Sequence, residues 1–202
     1  MEPSIYLASK SPRRRDLLQQ IGVRFDVLPF RAPPREDAAT DETPMPGEAP
    51  EAYAQRVAGA KAGHGLQLVA LRRLRPRLVL AADTTLDVDG EIVGKPCDAA
   101  DATAILRRLS GRTHRVITAI ALAGADRFEC VAQISEVRFR HLEDDEIRRY
   151  VASGEPLDKA GAYGIQGRAA MFAAEIRGSH SGIAGLPLCE TAILLRKFGY
   201  PI

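Results

Sequence analysis

The run Leu78-Val79-Leu80-Ala81-Ala82, followed at once by Asp83-Thr84-Thr85, constrains this chain more than any other feature. Five apolar residues without alternation mark a strand covered on both faces, the habit of an inner strand in a layered α/β sheet. A carboxylate directly after such a strand falls at its carboxyl end, where open α/β sheets hold ligands. Burying that charge is costly unless a metal ion, a cation or hydrogen-bond donors meet it. Asp83 in that position could hold Mg²⁺ or Mn²⁺ through oxygen, or orient a water for attack. The plainer alternative is an Asx turn that closes the strand.

The rest of the chain alternates strands and helices around this run. Residues 5–8 read as a short strand. Ser11 as N-cap and Pro12 at the first helical position open a helix over about 13–21, which Gly22 ends. Residues 23–28 alternate like a strand, and 29–50, rich in Pro, Asp, Glu and Thr, read as a long surface loop. A helix over 51–62 is expected to stop at Gly63-His64-Gly65, leaving 66–77 as a loop or a further short helix. Asp89-Gly90 between Leu86-Asp87-Val88 and Glu91-Ile92-Val93 is a strong hairpin signal. Asp98 is placed to cap a helix over 99–109. Strands are expected at 116–123, 128–139 and 171–176, a short helix from Asp144 to near Ser153, and an amphipathic helix over 187–198 closed by Gly199. The alternation predicts an α/β fold, and the hairpins make its sheet mixed rather than purely parallel.

The 202 residues suit one domain, 1–202, large enough to bury a core without disulfides or a structural metal. Twenty-eight Lys and Arg against 26 Asp and Glu give a net charge of +2, too balanced for a protein that coats a nucleic-acid backbone. Cys97, Cys130 and Cys189 form no Cys-x-x-Cys pair and fit free thiols in a reducing compartment. No apolar run approaches the roughly 20 residues that cross a bilayer. A cytoplasmic location with neither nucleic-acid nor membrane partners is therefore expected. The phosphate-loop, dinucleotide-fold and serine-esterase signatures are absent, and the four histidines lack zinc-ligand spacing.

Three further segments carry chemistry. In Ser9-Lys10-Ser11-Pro12-Arg13-Arg14-Arg15, three arginines occupy a helical first turn, where the helix dipole favours acids. An anion bound at that N-terminus, held by free N–H groups, Ser9 and an arginine fork such as Arg13, removes the conflict. The alternative is a merely tolerated basic turn. Gly94-Lys95-Pro96 follows the hairpin, which would fold Lys95 back toward Asp83 as a point charge for a phosphate oxygen; a solvated turn lysine is the other reading. The stretch 154–167 carries four glycines, an Asp158-Lys159 pair that could shape the loop, and Gln166. The Gln166 amide is donor and acceptor together and could read a uracil or thymine edge.

Taken in order, Leu7 to Arg14, Ala82 to Thr85 with Asp89 to Pro96, Leu109 to His114, Gly154 to Gly167 and Gly185 to Leu188 resemble the Maf family of nucleoside triphosphate pyrophosphatases across nearly the whole chain. The resemblance implies a Maf/ITPase-like fold, a mixed central sheet flanked by helical lobes with a cleft between them, often as a homodimer. It implies hydrolysis between the α and β phosphates, dependent on a divalent metal cation (Mg²⁺ or Mn²⁺). Asp83 is similar to the family's proton acceptor and a candidate metal ligand. Arg13, Lys61 and Lys95 resemble the cations around the triphosphate, with Ser9 beside them. Thr84 and Gln166, with Arg13, fall where base preference is set. Their identities resemble the branch acting on dTTP, UTP and modified pyrimidine nucleotides, which implies a housecleaning role and a part in cell division arrest. The alternatives are an N7-methyl-GTP pyrophosphatase and a nucleotide-binding regulator of cell division without turnover. The family's acidic metal ligand is sought in Arg35-Glu36-Asp37, making Glu36 the candidate there.

Overall fold

A computed structural model describes residues 3–30 and 41–202. Strands β1 (Ile5–Leu7), β2 (Phe25–Val27), β3 (Val79–Val88), β4 (Glu91–Val93), β5 (Thr113–Ala123), β6 (Phe128–Phe139) and β7 (Ala173–Arg177) form one seven-stranded sheet. Its order is β2-β1-β3-β5-β6-β7, with β4 pairing β3 off that path. The β1–β2 and β1–β3 pairs are parallel and the others antiparallel, so the sheet is mixed as expected. The helices are α1 (Pro12–Gln20), α2 (Pro50–Leu71), α3 (Ala99–Leu109), α4 (Asp144–Ala152), α5 (His180–Ile183) and α6 (Leu188–Lys197).

Strand β3 organises two cores because it is buried along its length. Its alternate residues Val79 and Ala81 join Tyr6, Ile117, Ala119 and Ala121 under α2, while Leu80, Ala82 and Leu86 join Leu7, Leu106 and Ile120 on the opposite face. Each fully buried Leu or Ile there contributes about 1.5–3 kcal/mol relative to exposure, before the entropy of ordering it.

Helix α2 differs from expectation. It does not stop at Gly63-His64-Gly65 but runs on to Leu71. Ala54, Ala58, Ala62 and Gly65 form a small-residue face that lets the helix lie close on the sheet. A Cβ on Gly65 would sit 2.7 Å from Val79 Cγ1, so this glycine serves close helix–sheet packing instead of termination. The packing gain outweighs the roughly 1 kcal/mol per glycine that helix propensity charges.

Several other local signals hold, although the strand expected from Met171 starts only at Ala173, after a 3-10 helical turn over Arg168–Phe172. Asp98 accepts the Asp101 N–H at 2.8 Å and opens α3 over the expected residues. Asp89 and Gly90 both take positive φ, at 59° and 86°, and close the β3–β4 hairpin. Gly199 ends α6 with φ of 78°. Among the described residues no helix is long and apolar enough to cross a membrane.

Candidate active site

The cleft forms where β3 lacks a neighbour. Strand β1 pairs with β3 only at Val79 and Leu80, and β4 begins its pairing at Leu86. Among the described residues, the edge of β3 away from β5 therefore carries no strand along 81–85. Asp83 consequently sits in mid-strand rather than beyond a strand end, as the apolar run alone suggested. Asp83 still opens on a cleft because the neighbouring strand stops before it. Side chains from both faces of β3 open into one cavity of about 780 Å³. Six cationic side chains line it against four carboxylates, so it suits an anionic ligand.

On the α2 side, Lys61 Nζ donates to Asp83 Oδ1 at 2.8 Å and meets Glu42 Oε1 at 2.5 Å. Lys61 and Asp83 are nearly buried, with 12% and 8% of their side chains exposed. The hairpin returns Lys95 to this cluster, where its Nζ lies 3.5 Å from Glu42 Oε2. Burial opposes ionisation of Glu42, but the charge and hydrogen bond of Lys61, then those of Lys95, outweigh it and hold the carboxyl below its ordinary pKa.

Glu42 is a carboxylate of this cluster that sequence reasoning did not single out. Glu36, the candidate metal ligand, lies outside the described residues. Glu42 is set by anchors on α2: Tyr53 donates its hydroxyl to the Glu42 carbonyl at 2.8 Å, and Arg56 clasps Glu48 at 2.6 and 2.8 Å while donating to the Thr43 carbonyl at 3.1 Å. A Tyr and an Arg three residues apart on one helix face were the available signal, meaningful only once the loop is seen packed on them.

On the other face of β3, Arg14 rather than Arg13 is the tightly held arginine. Its Nε donates to the Gly185 carbonyl at 2.7 Å, and its terminal nitrogens donate to Ser9 Oγ at 3.3 Å and Thr84 Oγ1 at 3.2 Å. Burial lowers its pKa, partly offset by Asp83. Arg13 lines the same cavity with Nη1 3.6 Å from Asp158, and Asp158 in turn pairs with Lys159 at 2.5 Å. The Asp158–Lys159 ion pair expected in this loop is present. The first turn of α1 contains no acidic residue and Ser11 makes no side-chain cap, so its N–H groups are disposed toward an anion.

The glycine-rich segment closes the cavity. The Gly161 N–H donates to the Gly94 carbonyl at 2.9 Å, tying the segment to the Lys95 turn. Gln166 is exposed on the cavity wall. Behind it Tyr163 contacts buried His114, Oη to Nε2 at 2.8 Å. Ser9, Arg13, Lys61, Asp83, Thr84, Lys95 and Gln166 therefore line one cavity.

Two carboxylates converging on one ammonium also bear on a metal. Among the described residues no group of three or more His, Cys, Asp or Glu is arranged to hold one. The protein's share of a cation site would be Asp83 and Glu42, a donor set that fits Mg²⁺ or Mn²⁺, which commonly take one or two carboxylates and complete their shell with phosphate oxygens and water.

Fold and cleft together define an α/β protein with a cavity along an open strand edge, lined by lysines and arginines and by Thr84 and Gln166. The chain belongs to the Maf-like protein family, whose model matches residues 4–198. It is 61% identical to a protein of Aromatoleum aromaticum, over 100% of this chain and 98% of that one, named dTTP/UTP pyrophosphatase. Relatives of the same name from Dechloromonas aromatica and Ralstonia nicotianae are 60% and 55% identical, covering 97% and 96% of this chain and 98% and 94% of theirs.

Proposed function

We propose that this chain is a nucleoside triphosphate pyrophosphatase that hydrolyses dTTP and UTP, and modified pyrimidine triphosphates, to the monophosphate and pyrophosphate. The observation that carries the reading is Lys61 clasped between Asp83 and Glu42 at the open edge of β3, with Arg14 and Thr84 across the strand. Relatives named for this activity at 60% and 61% identity support the substrate.

The triphosphate lies on the cationic side, toward Lys61, Lys95, Arg13 and the N-terminus of α1. Asp83 accepts a proton from the water that attacks the α-phosphorus. The bond from that phosphorus to the α–β bridging oxygen breaks, and pyrophosphate leaves. Lysine and arginine charges absorb the negative charge gathering on it. Asp83 and Glu42 would hold the divalent cation, which supplies further charge neutralisation to the phosphates when bound. Thr84 and Gln166 contact the base at the other end.

Purified protein with Mg²⁺ is expected to release pyrophosphate from dTTP and UTP faster than from ATP or GTP. No turnover of any nucleotide with Mg²⁺ or Mn²⁺ would refute the reading.

A further inference from the structure

The turn that carries Gln166 is held from behind by one carboxylate. Glu155 Oε1 accepts the Tyr150 hydroxyl at 3.1 Å, and Oε2 accepts the Arg168 N–H at 3.2 Å. A carboxylate only accepts, so the Tyr150 hydrogen is committed to Glu155. The phenol oxygen is left to accept the Gly164 N–H at 3.2 Å. The Gly167 N–H closes the turn on the Gly164 carbonyl at 2.9 Å, with Ile165 and Gln166 at its tip. Glu155 and Tyr150 therefore fasten the turn on both sides of that tip, at Gly164 and at Arg168. The approach is closer than a side chain allows, since a Cβ on Gly167 would lie 2.0 Å from Glu155 Oε1.

Neither fastening side chain reaches the ligand. Ile165 and Gln166 line the cavity, whereas Glu155 and Tyr150 do not. Tyr150 is 2% exposed and packs its ring on Phe172 at 5.1 Å, so the anchor belongs to the core. The Lys61–Asp83 pair stands on α2 and β3, outside the fastened segment. We propose that Glu155, acting with Tyr150, is a positioning residue for substrate binding: it presets the 164–167 wall of the cavity, so the nucleotide does not have to order it. A segment ordered only on binding subtracts its conformational entropy from the affinity. The inference rests on the nucleoside triphosphate reading above, in which Gln166 meets the nucleoside end, and adds what keeps that wall in place.

The test measures KM and kcat for dTTP, Kd for its non-hydrolysable α,β-imido analogue, and Ki for pyrophosphate. Glu155→Ala is expected to raise KM and Kd at least about tenfold, the usual scale of a lost hydrogen bond to a charged group. Its kcat should stay within about threefold of wild type, because only ground-state binding is touched. Pyrophosphate should inhibit it as it inhibits wild type, since the cations of the cleft are unchanged. A general loosening of the fold would weaken both ligands alike. Glu155→Gln keeps an acceptor for Arg168 and a polar contact for Tyr150, and its KM should stay within about threefold of wild type. Tyr150→Phe removes the hydroxyl alone and should raise KM as Glu155→Ala does. Combining the two should add little, as for members of one network. If Glu155→Ala does not fold, Tyr150→Phe carries the comparison.

A folded Glu155→Ala protein with wild-type KM and Kd overturns the inference. A pyrophosphate Ki that rises with KM overturns it too, as does a Glu155→Gln protein as impaired as Glu155→Ala. Wild-type protein that binds the dTTP analogue but turns over no triphosphate would sink the hydrolytic reading, and the clamp is then judged on Kd alone. Neither binding nor turnover would sink both.

Discussion

Replacing Lys61 by Met separates the electrostatics of the cleft from its shape. Methionine fills most of the lysine stem, so packing on α2 changes little, but the ammonium between Asp83 and Glu42 is gone. Asp83 is 8% exposed and loses its buried partner, while Glu42 is 39% exposed and keeps water and Lys95. Removing one member of a buried pair costs about 3–5 kcal/mol. The lower end, about 3 kcal/mol, applies here because the cleft is open and Glu42 is screened by solvent. For a domain of this size each kcal/mol moves Tm by about 2–4 °C, so Lys61→Met should melt about 6–12 °C below wild type near pH 7.5. The deficit should also depend on pH. Lys61 holds Glu42 below its ordinary value of 4.5, so the stabilisation is present above the unfolded-state pKa and is lost as pH falls through the lower folded-state value. Thermal unfolding followed by circular dichroism at pH 7.5 and below pH 4 should therefore show a larger deficit at the first than at the second, by the share that Glu42 carries. An unchanged Tm at pH 7.5, or a deficit that does not shrink in acid, would refute the coupled Lys61–Asp83–Glu42 cluster.

Asp83→Asn leaves Lys61 its contact with Glu42, so the fold should survive while turnover drops by about 10²–10⁴-fold; near wild-type rates in a pyrophosphate-release assay would exclude Asp83 as the proton acceptor. Gln166→Glu sits on the exposed cavity wall, so Tm should hardly move while the ratio of dTTP to other triphosphates in competition assays changes; an unaltered ratio counts against a base contact. His114 is pushed by burial down to about 4, and the unfolded chain therefore takes up its proton first as pH falls. Stability should decline between the usual histidine value of about 6.5 and about pH 4, by roughly 3 kcal/mol in all. Chemical denaturation across that window should show a flatter pH dependence for His114→Phe, and an equal slope in both proteins would refute the assignment.

Much of the fold was written locally. Asp98 before an amphipathic run defined α3, Asp89-Gly90 defined the hairpin that brings Lys95 back, and unbroken apolar residues marked β3 as an inner strand. Each of those signals depends on a residue's own conformational preference or on neighbours within a few positions, so the sequence alone determined them. The order of five motifs pointed in the same way to the family and to Ser9, Arg13, Lys61, Asp83, Thr84, Lys95 and Gln166. Tertiary structure decided what depends on partners distant along the chain. Gly65 continues a helix because Val79 lies against it. Glu42 reaches Lys61 because Tyr53 and Arg56 draw its segment onto α2. Arg14 is held tighter than Arg13 because Gly185 and Thr84, 171 and 70 positions away, supply its acceptors. The open edge beside Asp83 exists because β1 ends before β4 begins, a property of strand pairing.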